Sequence, residues 1–186
     1  MNATASEMRP RRRFAEAGVA RVAVTAALVV LALALQSTLL SRITLLGVVP
    51  QLVLIAVVSL AYLEGETVGV VTGFAGGLLQ DLLLAQSIVG LTALVYTLIG
   101  YAVGSLRHYA ASDSVWTPVW LVAVATGSAQ LGYALLSILF GRPWVSLTFT
   151  AKVTGLVVLY NTLLTPLTFP IIRSIAERFR PERVHR

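Results

Sequence analysis

The chain has 186 residues, of which 57% are hydrophobic and 12% are charged, and its mean hydropathy is +0.84. A soluble domain carries about 25% charged residues, so this composition excludes an ordinary soluble fold and indicates one helical membrane domain. The absence of cysteine excludes disulfides, thiolate catalysis and cysteine-bound metals. The net charge of +6 does not indicate a nucleic-acid partner, because nine of the 14 basic residues lie in the two terminal segments and a tenth, Arg21, closely follows the first of them.

Six apolar stretches, separated by short polar turns, predict an all-α polytopic membrane protein with six transmembrane helices. A basic arm, residues 1–18, precedes the helical domain of residues 19–172, and a basic tail, residues 173–186, follows it. We expect the arm to be unstructured or to lie on the membrane surface. The predicted helices span residues 19–40, 50–63, 67–85, 88–106, 115–140 and 147–172.

The distribution of basic residues predicts the orientation in the membrane. Six spans place both termini on the same side. If that side is the cytoplasm, the inner segments hold both arginine-rich tails and Arg107, whereas the outer segments hold only Arg42, Arg142 and Lys152. Because basic residues are enriched on the cytoplasmic side, we expect both termini to be cytoplasmic and Asp81 to lie near the outer end of its helix.

A row of glycines marks the third predicted helix, GVVTGFAGGLLQD. Gly69, Gly73 and Gly77 recur every four residues and so lie along one side of the helix, with Gly76 beside them. Such glycines let a second helix approach very closely, because no side chain holds the two backbones apart. That helix could belong to the same chain or to a partner protein. We therefore predict a helix-packing or partner-docking surface, to which Gly90 adds a small residue from the following helix.

Asp81 ends the glycine row, and an ionised carboxylate is costly in a bilayer. Its insertion costs about 2.5–3.5 kcal/mol at the membrane centre, so it should face protein, water or the interface. One interpretation is an anchor that pairs with a cation on a neighbouring helix, for which Lys152 is the candidate. The other is an interfacial acid that reaches water. Ion-coupled transport is not indicated, because it usually needs several intramembrane ionisable groups.

Polar residues also cluster in the last predicted helix. Pro166 is expected to kink this helix and to free a backbone carbonyl, which Thr162 could help to satisfy. Asn161 could hydrogen-bond to another helix, a contact worth about 0.6–2 kcal/mol in a membrane. We interpret Asn161 and Thr162 as structural polar contacts, with a ligand pocket as the alternative.

The sequence carries no pattern typical of an enzyme or a metal site. It has no Gly-x-Ser-x-Gly elbow, no Walker loop and no dinucleotide fingerprint. The two histidines, His108 and His185, are isolated, whereas a metal site needs three or four ligands. The close acid pair, Glu64 and Glu66, is predicted to be a solvated helix boundary. We therefore expect no catalysis, no metal and no cofactor.

Three segments carry a resemblance to a known family. The run GFAGGLLQDLL after an EGE turn, the helix entry IVGLTALVYTLIGY and the closing YNTLLTPLTFPII resemble rod shape-determining proteins of the MreD family. The resemblance covers most of the chain, from the first predicted helix to the last. The positions that match the family most recognisably are Gly73, Gly77, Asp81 and Gly90.

The resemblance implies a non-enzymatic scaffold in the bacterial inner membrane. MreD proteins belong to the machinery that inserts peptidoglycan along the side wall of rod-shaped cells. The implied direct partner is the membrane protein MreC. The associated proteins are the actin-like MreB, the glycosyltransferase RodA and a class B penicillin-binding transpeptidase, and membrane lipids surround the helices.

The family's fold is thought to be similar to that of S components, the vitamin-binding subunits of energy-coupling-factor transporters. This similarity implies a second hypothesis, a vitamin-binding subunit of such a transporter. S components dock to a transport module through small residues on their first helix. Here the first helix offers Ala23, Ala27 and Ala34, whose spacing matches that docking motif imperfectly. A polar, aromatic cavity with room for a ligand would favour this second hypothesis.

Overall fold

A computed structural model describes residues 8–42, 44, 47–83, 88–109, 116–141 and 146–178, with side chains from residue 18 onward and except at residue 147. The regular structure in these ranges is helical. A π-helical turn, Gln36–Leu40, continues the first α-helix directly. The α-helices are α1 (Met8–Leu35), α2 (Leu52–Glu64), α3 (Glu66–Leu83), α4 (Leu91–Leu106), α5 (Thr117–Leu139) and α6 (Leu147–Arg178).

A helix occupies each of the six predicted stretches, but they differ in their capacity to cross a membrane. Among the described residues, three segments are long and apolar enough for this: Gly18–Leu40, Thr117–Leu139 and Thr148–Arg178. α2 and α4 are apolar but have only 13 and 16 residues. At 1.5 Å per residue α2 is about 20 Å long, whereas the hydrocarbon core is about 30 Å thick. Length and composition therefore support three spans, and a set of six stays a prediction.

Turn residues set the helix boundaries that differ from the prediction. Pro50 precedes α2 instead of forming its first turn, and Gln51 occupies the N-terminal boundary. Gly65 has a φ of 102° and separates α2 from α3. Gly90 has a φ of 96°, so α4 begins only at Leu91. This left-handed conformation is accessible to glycine but incompatible with a right-handed helix.

The first and last helices are longer than expected. α1 begins at Met8, so the basic arm is helical from that residue. α6 continues through Pro166 and Pro170 to Arg178. In α6, the hydroxyls of Thr162 and Thr165 donate to carbonyls four residues earlier, over 2.6 and 2.7 Å. Such local bonds satisfy polar side chains inside an apolar helix. The kink at Pro166 stays a prediction.

α2 lies at the centre of the bundle. Its side chains from Val53 to Ala61 are buried, and the helix contacts all five other α-helices. A helix that is apolar on every side requires such burial. α3 and α4 form an antiparallel pair beside it, because Gly69 packs against Gly100 and Gly77 packs against Ala93. α5 and α6 pack against each other and against α2.

Candidate functional site

The predicted glycine row packs against α4 of the same chain. A Cβ added at Gly69, Gly73 or Gly77 would lie within 3.0 Å of the α4 backbone, which cannot move aside easily. α4 contributes its own small residues, because a Cβ at Gly100 would meet the Gly69 carbonyl. We call this α3–α4 contact the glycine seam. Of the two alternatives for the row, the structure places intrachain packing here, so no partner helix can occupy the same face.

Gly76 lies on a different side of α3. A Cβ at Gly76 would be 2.9 Å from Val53 Cγ1 of α2 and 3.1 Å from Val29 Cγ1 of α1. These neighbours are the ends of side chains, not backbone. Gly76 therefore helps α3 to pack on α1 and α2, separately from the glycine seam.

Asp81 caps the N-terminus of α4. Its side chain is buried, and Oδ2 accepts N–H bonds from Gly90, Thr92 and Ala93 over 2.9, 3.0 and 3.3 Å. The first amides of a helix have no partner within the helix, and its N-terminus favours a negative charge. The buried carboxylate thus meets amides of its own chain, a role that the two sequence interpretations did not include.

Lys152 does not serve as the expected partner of Asp81. Its side chain is exposed. Among the described residues, Arg21–Glu64 and Arg173–Glu177 form ion pairs, and neither pair includes Lys152.

Gly90 acts through its backbone and not as a helix-packing residue. It adopts the left-handed conformation at the N-terminal boundary of α4 and donates its N–H to Asp81. A Cβ added there would meet nothing within 4 Å. The expected close helix contact at Gly90 is therefore replaced by a turn that brings three amides to one carboxylate.

Asn161 makes the predicted interhelical contacts. It is fully buried, its Oδ1 accepts the Gln51 N–H over 2.9 Å, and its Nδ2 donates to Thr126 Oγ1 over 3.1 Å. A residue that the sequence interpretation missed, Gln36, accepts the Val53 N–H through Oε1 over 3.1 Å. Side chains from α6 and the π-helical turn thus cap α2. The sequence did offer a signal for Gln36, because it is a strongly polar residue near the end of an apolar run.

The end of α2, where the sequence predicted a solvated boundary, carries a buried acid that pairs with α1. Arg21 of α1 donates through Nε to Glu64 Oε2 over 2.7 Å, and its Nη2 lies 2.6 Å from the same oxygen. The Glu64 side chain is 2% exposed, so the sequence interpretation of Glu64 as a solvated residue is wrong. Its partner Arg21 lies 43 residues away in sequence, a distance that no local pattern could reveal.

This ion pair stands at one end of a groove between α1 and α3. The groove has a volume of about 580 Å³. Small and apolar residues dominate its lining: Gly18, Val22 and Ala26 from α1, and Val68, Val71 and Ala75 from α3. We call it the α1–α3 groove. It lies on another side of α3 from the glycine seam, and its surface remains open in the described structure.

A smaller polar cavity lies where α2 and α4 begin and α3 ends. Its volume is about 170 Å³. The polar lining residues are Gln51, Gln80, Thr92, Tyr96, Gln130 and Tyr133. The sequence interpretation singled out none of these lining residues, although it did single out Asp81, which follows Gln80. The signal that it missed is the presence of polar residues within otherwise apolar helices.

Among the described residues, no group of three His, Asp or Glu side chains could hold a metal ion. The polar side chains described above cap helices, join helices or line the cavity. Together with the apolar helices, they define a helical membrane protein.

Comparison with known families then identifies its family. The chain belongs to the family of rod shape-determining protein MreD, whose model matches residues 19–177. The family supports a role in rod shape determination and is a structural, shape-determining membrane protein family. Searches among curated proteins and among solved structures gave no match.

Proposed function

We propose that this protein is a non-enzymatic scaffold of the cell-wall elongation machinery that binds a transmembrane helix of MreC. Membership of the MreD family carries this proposal. The proposed site is the α1–α3 groove, because the glycine seam is filled by α4. Through MreC, the scaffold would connect MreB, RodA and a class B penicillin-binding transpeptidase and so help to direct peptidoglycan synthesis.

The lining of the α1–α3 groove suits a helix in lipid. Helices in a membrane gain little from hydrophobic burial on meeting, so close packing at small residues must supply most of the affinity. Ala26 and Ala75 are exposed in the groove and offer such positions from both walls. The branched residues Val22 and Val71, which are 70% and 60% exposed, offer edges against which a helix can pack.

The proposed setting is the bacterial inner membrane, with the helices crossing it several times and both termini in the cytoplasm. The basic residues of the two terminal segments support this orientation. In it, Arg21 and Glu64 lie at the cytoplasmic end of the groove. Part of the Arg21 side chain, 35% exposed, remains accessible there to a partner or to lipid headgroups.

The transporter hypothesis receives less support from the cavity at the opposite end. Sites for drug-sized ligands occupy about 300–1,000 Å³. The polar cavity has a volume of about 170 Å³, too small to enclose a vitamin of ordinary size. The similarity to S components stays a prediction of the family resemblance, because no solved structure matches the chain.

A pull-down with one matched pair of variants tests the proposal. Ala26 and Ala27 are adjacent, exposed residues of α1, and only Ala26 lines the groove. Tagged protein is purified from its native membrane in mild detergent, and copurified proteins are identified by mass spectrometry. We expect wild type and Ala27→Trp to recover MreC and Ala26→Trp to lose it.

Two other outcomes would contradict the proposal. Equal recovery of MreC by both tryptophan variants would exclude the α1–α3 groove as its binding site. Recovery of paired ATPases with a membrane coupling subunit, and without MreC, would instead support the transporter hypothesis.

A further inference from the structure

The polar cavity contains hydrogen-bonding groups that no other part of the described chain uses. The oxygens Oε1 of Gln51 and Oε1 of Gln80 are buried and accept no hydrogen bond. The buried Tyr96 hydroxyl faces the Gln80 side chain but makes no hydrogen bond of good geometry. The side chains of Gln80 and Tyr96 are only 6% and 3% exposed. All three residues line the same cavity of about 170 Å³.

Their neighbours show how unusual this is. Gln36, Asp81 and Asn161 are buried polar residues of the same bundle, and each bonds to a backbone amide of another segment. Buried polar groups in folded proteins nearly always have partners, and leaving one unmade costs free energy. Three buried polar groups that converge on one cavity with unused hydrogen-bonding capacity therefore point to a molecule that enters it.

The chemistry of the unmet groups defines that molecule. A glutamine Oε1 only accepts hydrogen bonds, whereas a tyrosine hydroxyl can donate or accept, so the molecule must bring donors. The residues that line the cavity carry no charge at neutral pH. The Asp81 carboxylate lies near Tyr96 but is already bonded by three amides, so a cation would lose its hydration without a charged ligand in the lining, and an anion would face carbonyl oxygens.

The size of the cavity narrows the choice further. A cavity of about 150 Å³ in another protein encloses benzene. This one can hold a group between glycerol and a six-carbon cyclic polyol in size. We infer that the cavity binds a neutral, hydroxyl-rich group that donates to Gln51 and Gln80 and bonds to Tyr96. A free polyol and a hydroxylated lipid headgroup share this chemistry. The inference does not rest on the proposed binding of MreC.

Two binding measurements distinguish these sources. In the first, the full chain in phosphatidylcholine nanodiscs is titrated with glycerol and with inositol, and saturation-transfer NMR reports binding. In the second, nanodiscs of mixed phosphatidylcholine and phosphatidylglycerol are examined by native mass spectrometry for the lipid that stays bound. A free polyol gives the first signal, whereas a lipid headgroup gives selective retention of phosphatidylglycerol.

Two conservative variants and one matched control connect either signal to the cavity. Gln80→Met and Tyr96→Phe remove the unmet groups at nearly constant volume. We expect each to weaken binding about tenfold, the effect of one lost hydrogen bond. Ser59→Ala is the control, because Ser59 is also buried and has an unpartnered hydroxyl but does not line the cavity. It should bind as wild type does.

Thermal unfolding separates lost binding from lost folding. Replacing an unpartnered polar group by an apolar one of similar shape should not destabilise the apo protein, so Ser59→Ala should unfold at or above the wild-type temperature. Gln80→Met and Tyr96→Phe also remove the contact between these two side chains and should unfold close to the wild-type temperature. The inference is overturned if neither polyol nor lipid binds, which would leave only water in the cavity. It is also overturned if Gln80→Met and Tyr96→Phe bind as tightly as Ser59→Ala.

Discussion

α3 presents two sides that differ in how they meet their surroundings. On one, Gly69, Gly73 and Gly77 bring the α4 backbone so close that even a methyl group would not fit. On the other, Val68, Val71 and Ala75 border an open groove of about 580 Å³. The difference teaches that the glycine row of this protein is used for a contact within the chain. The small and branched residues on the other side of α3 remain uncovered in the described structure.

The two sides of α3 should also respond differently to larger side chains. In the glycine seam, a larger side chain would meet the α4 backbone, and overpacking that forces backbone to shift is costly. In the α1–α3 groove, a larger side chain extends into open space. Substitutions in the seam should therefore act on folding, and substitutions in the groove should act on binding.

The largest predicted effect breaks the glycine seam. Gly73→Leu should destabilise the protein by about 3 kcal/mol or more, because its side chain would overlap the backbone at Tyr96 and Thr97. Thermal unfolding in detergent, or the yield of folded protein, measures the loss. The matched control is Ala75→Leu, two residues further along α3 and exposed in the groove, which should unfold near the wild-type temperature.

That comparison has a clear failing outcome. If Gly73→Leu and Ala75→Leu unfold at the same temperature, α3 and α4 are not held together at Gly73 in the way described.

The next effect concerns the end of the seam, where Asp81 caps α4. Asp81→Leu should cost about 3 kcal/mol, because it leaves buried amides of Gly90, Thr92 and Ala93 without their acceptor. Asp81→Asn should cost about half as much, since its Oδ1 can still accept. Chemical or thermal unfolding of both variants measures the difference. Equal losses would mean that the negative charge matters more than the hydrogen bonds.

The sequence predicted the helices well because apolar stretches and their punctuation are local signals. It also predicted the polar contact of Asn161, since a buried amide in a membrane helix must bond to something. The partner of the glycine row was not predictable, because glycine spacing is the same for an internal and an external helix. The structure decided this by the position of α4.

Other parts of the site depend on residues that are distant in sequence. Glu64 reads as a solvated boundary until Arg21 is placed beside it. No sequence pattern singled out Gln80 and Tyr96, which the bundle places at one cavity. Gly90 reads as a small packing residue, but its left-handed backbone shows that conformation, and not size, explains the glycine. Each of these interpretations needed the tertiary structure.

The smallest predicted effect separates these two reasons for a glycine. Gly90→Ala meets no steric obstacle, because nothing lies within 4 Å of the added Cβ, but its φ of 96° disfavours an alanine. The expected loss is about 1 kcal/mol. Gly90→Asn should lose less, since asparagine tolerates left-handed conformations better than alanine does.

Gly77→Ala provides the contrast, because its backbone is helical and its Cβ would lie 2.5 Å from Ala93 Cα. Unfolding temperatures should rank Gly90→Asn above Gly90→Ala and both above Gly77→Ala. If Gly90→Asn and Gly90→Ala lose equal stability, strain in the turn is not the reason for glycine at this position.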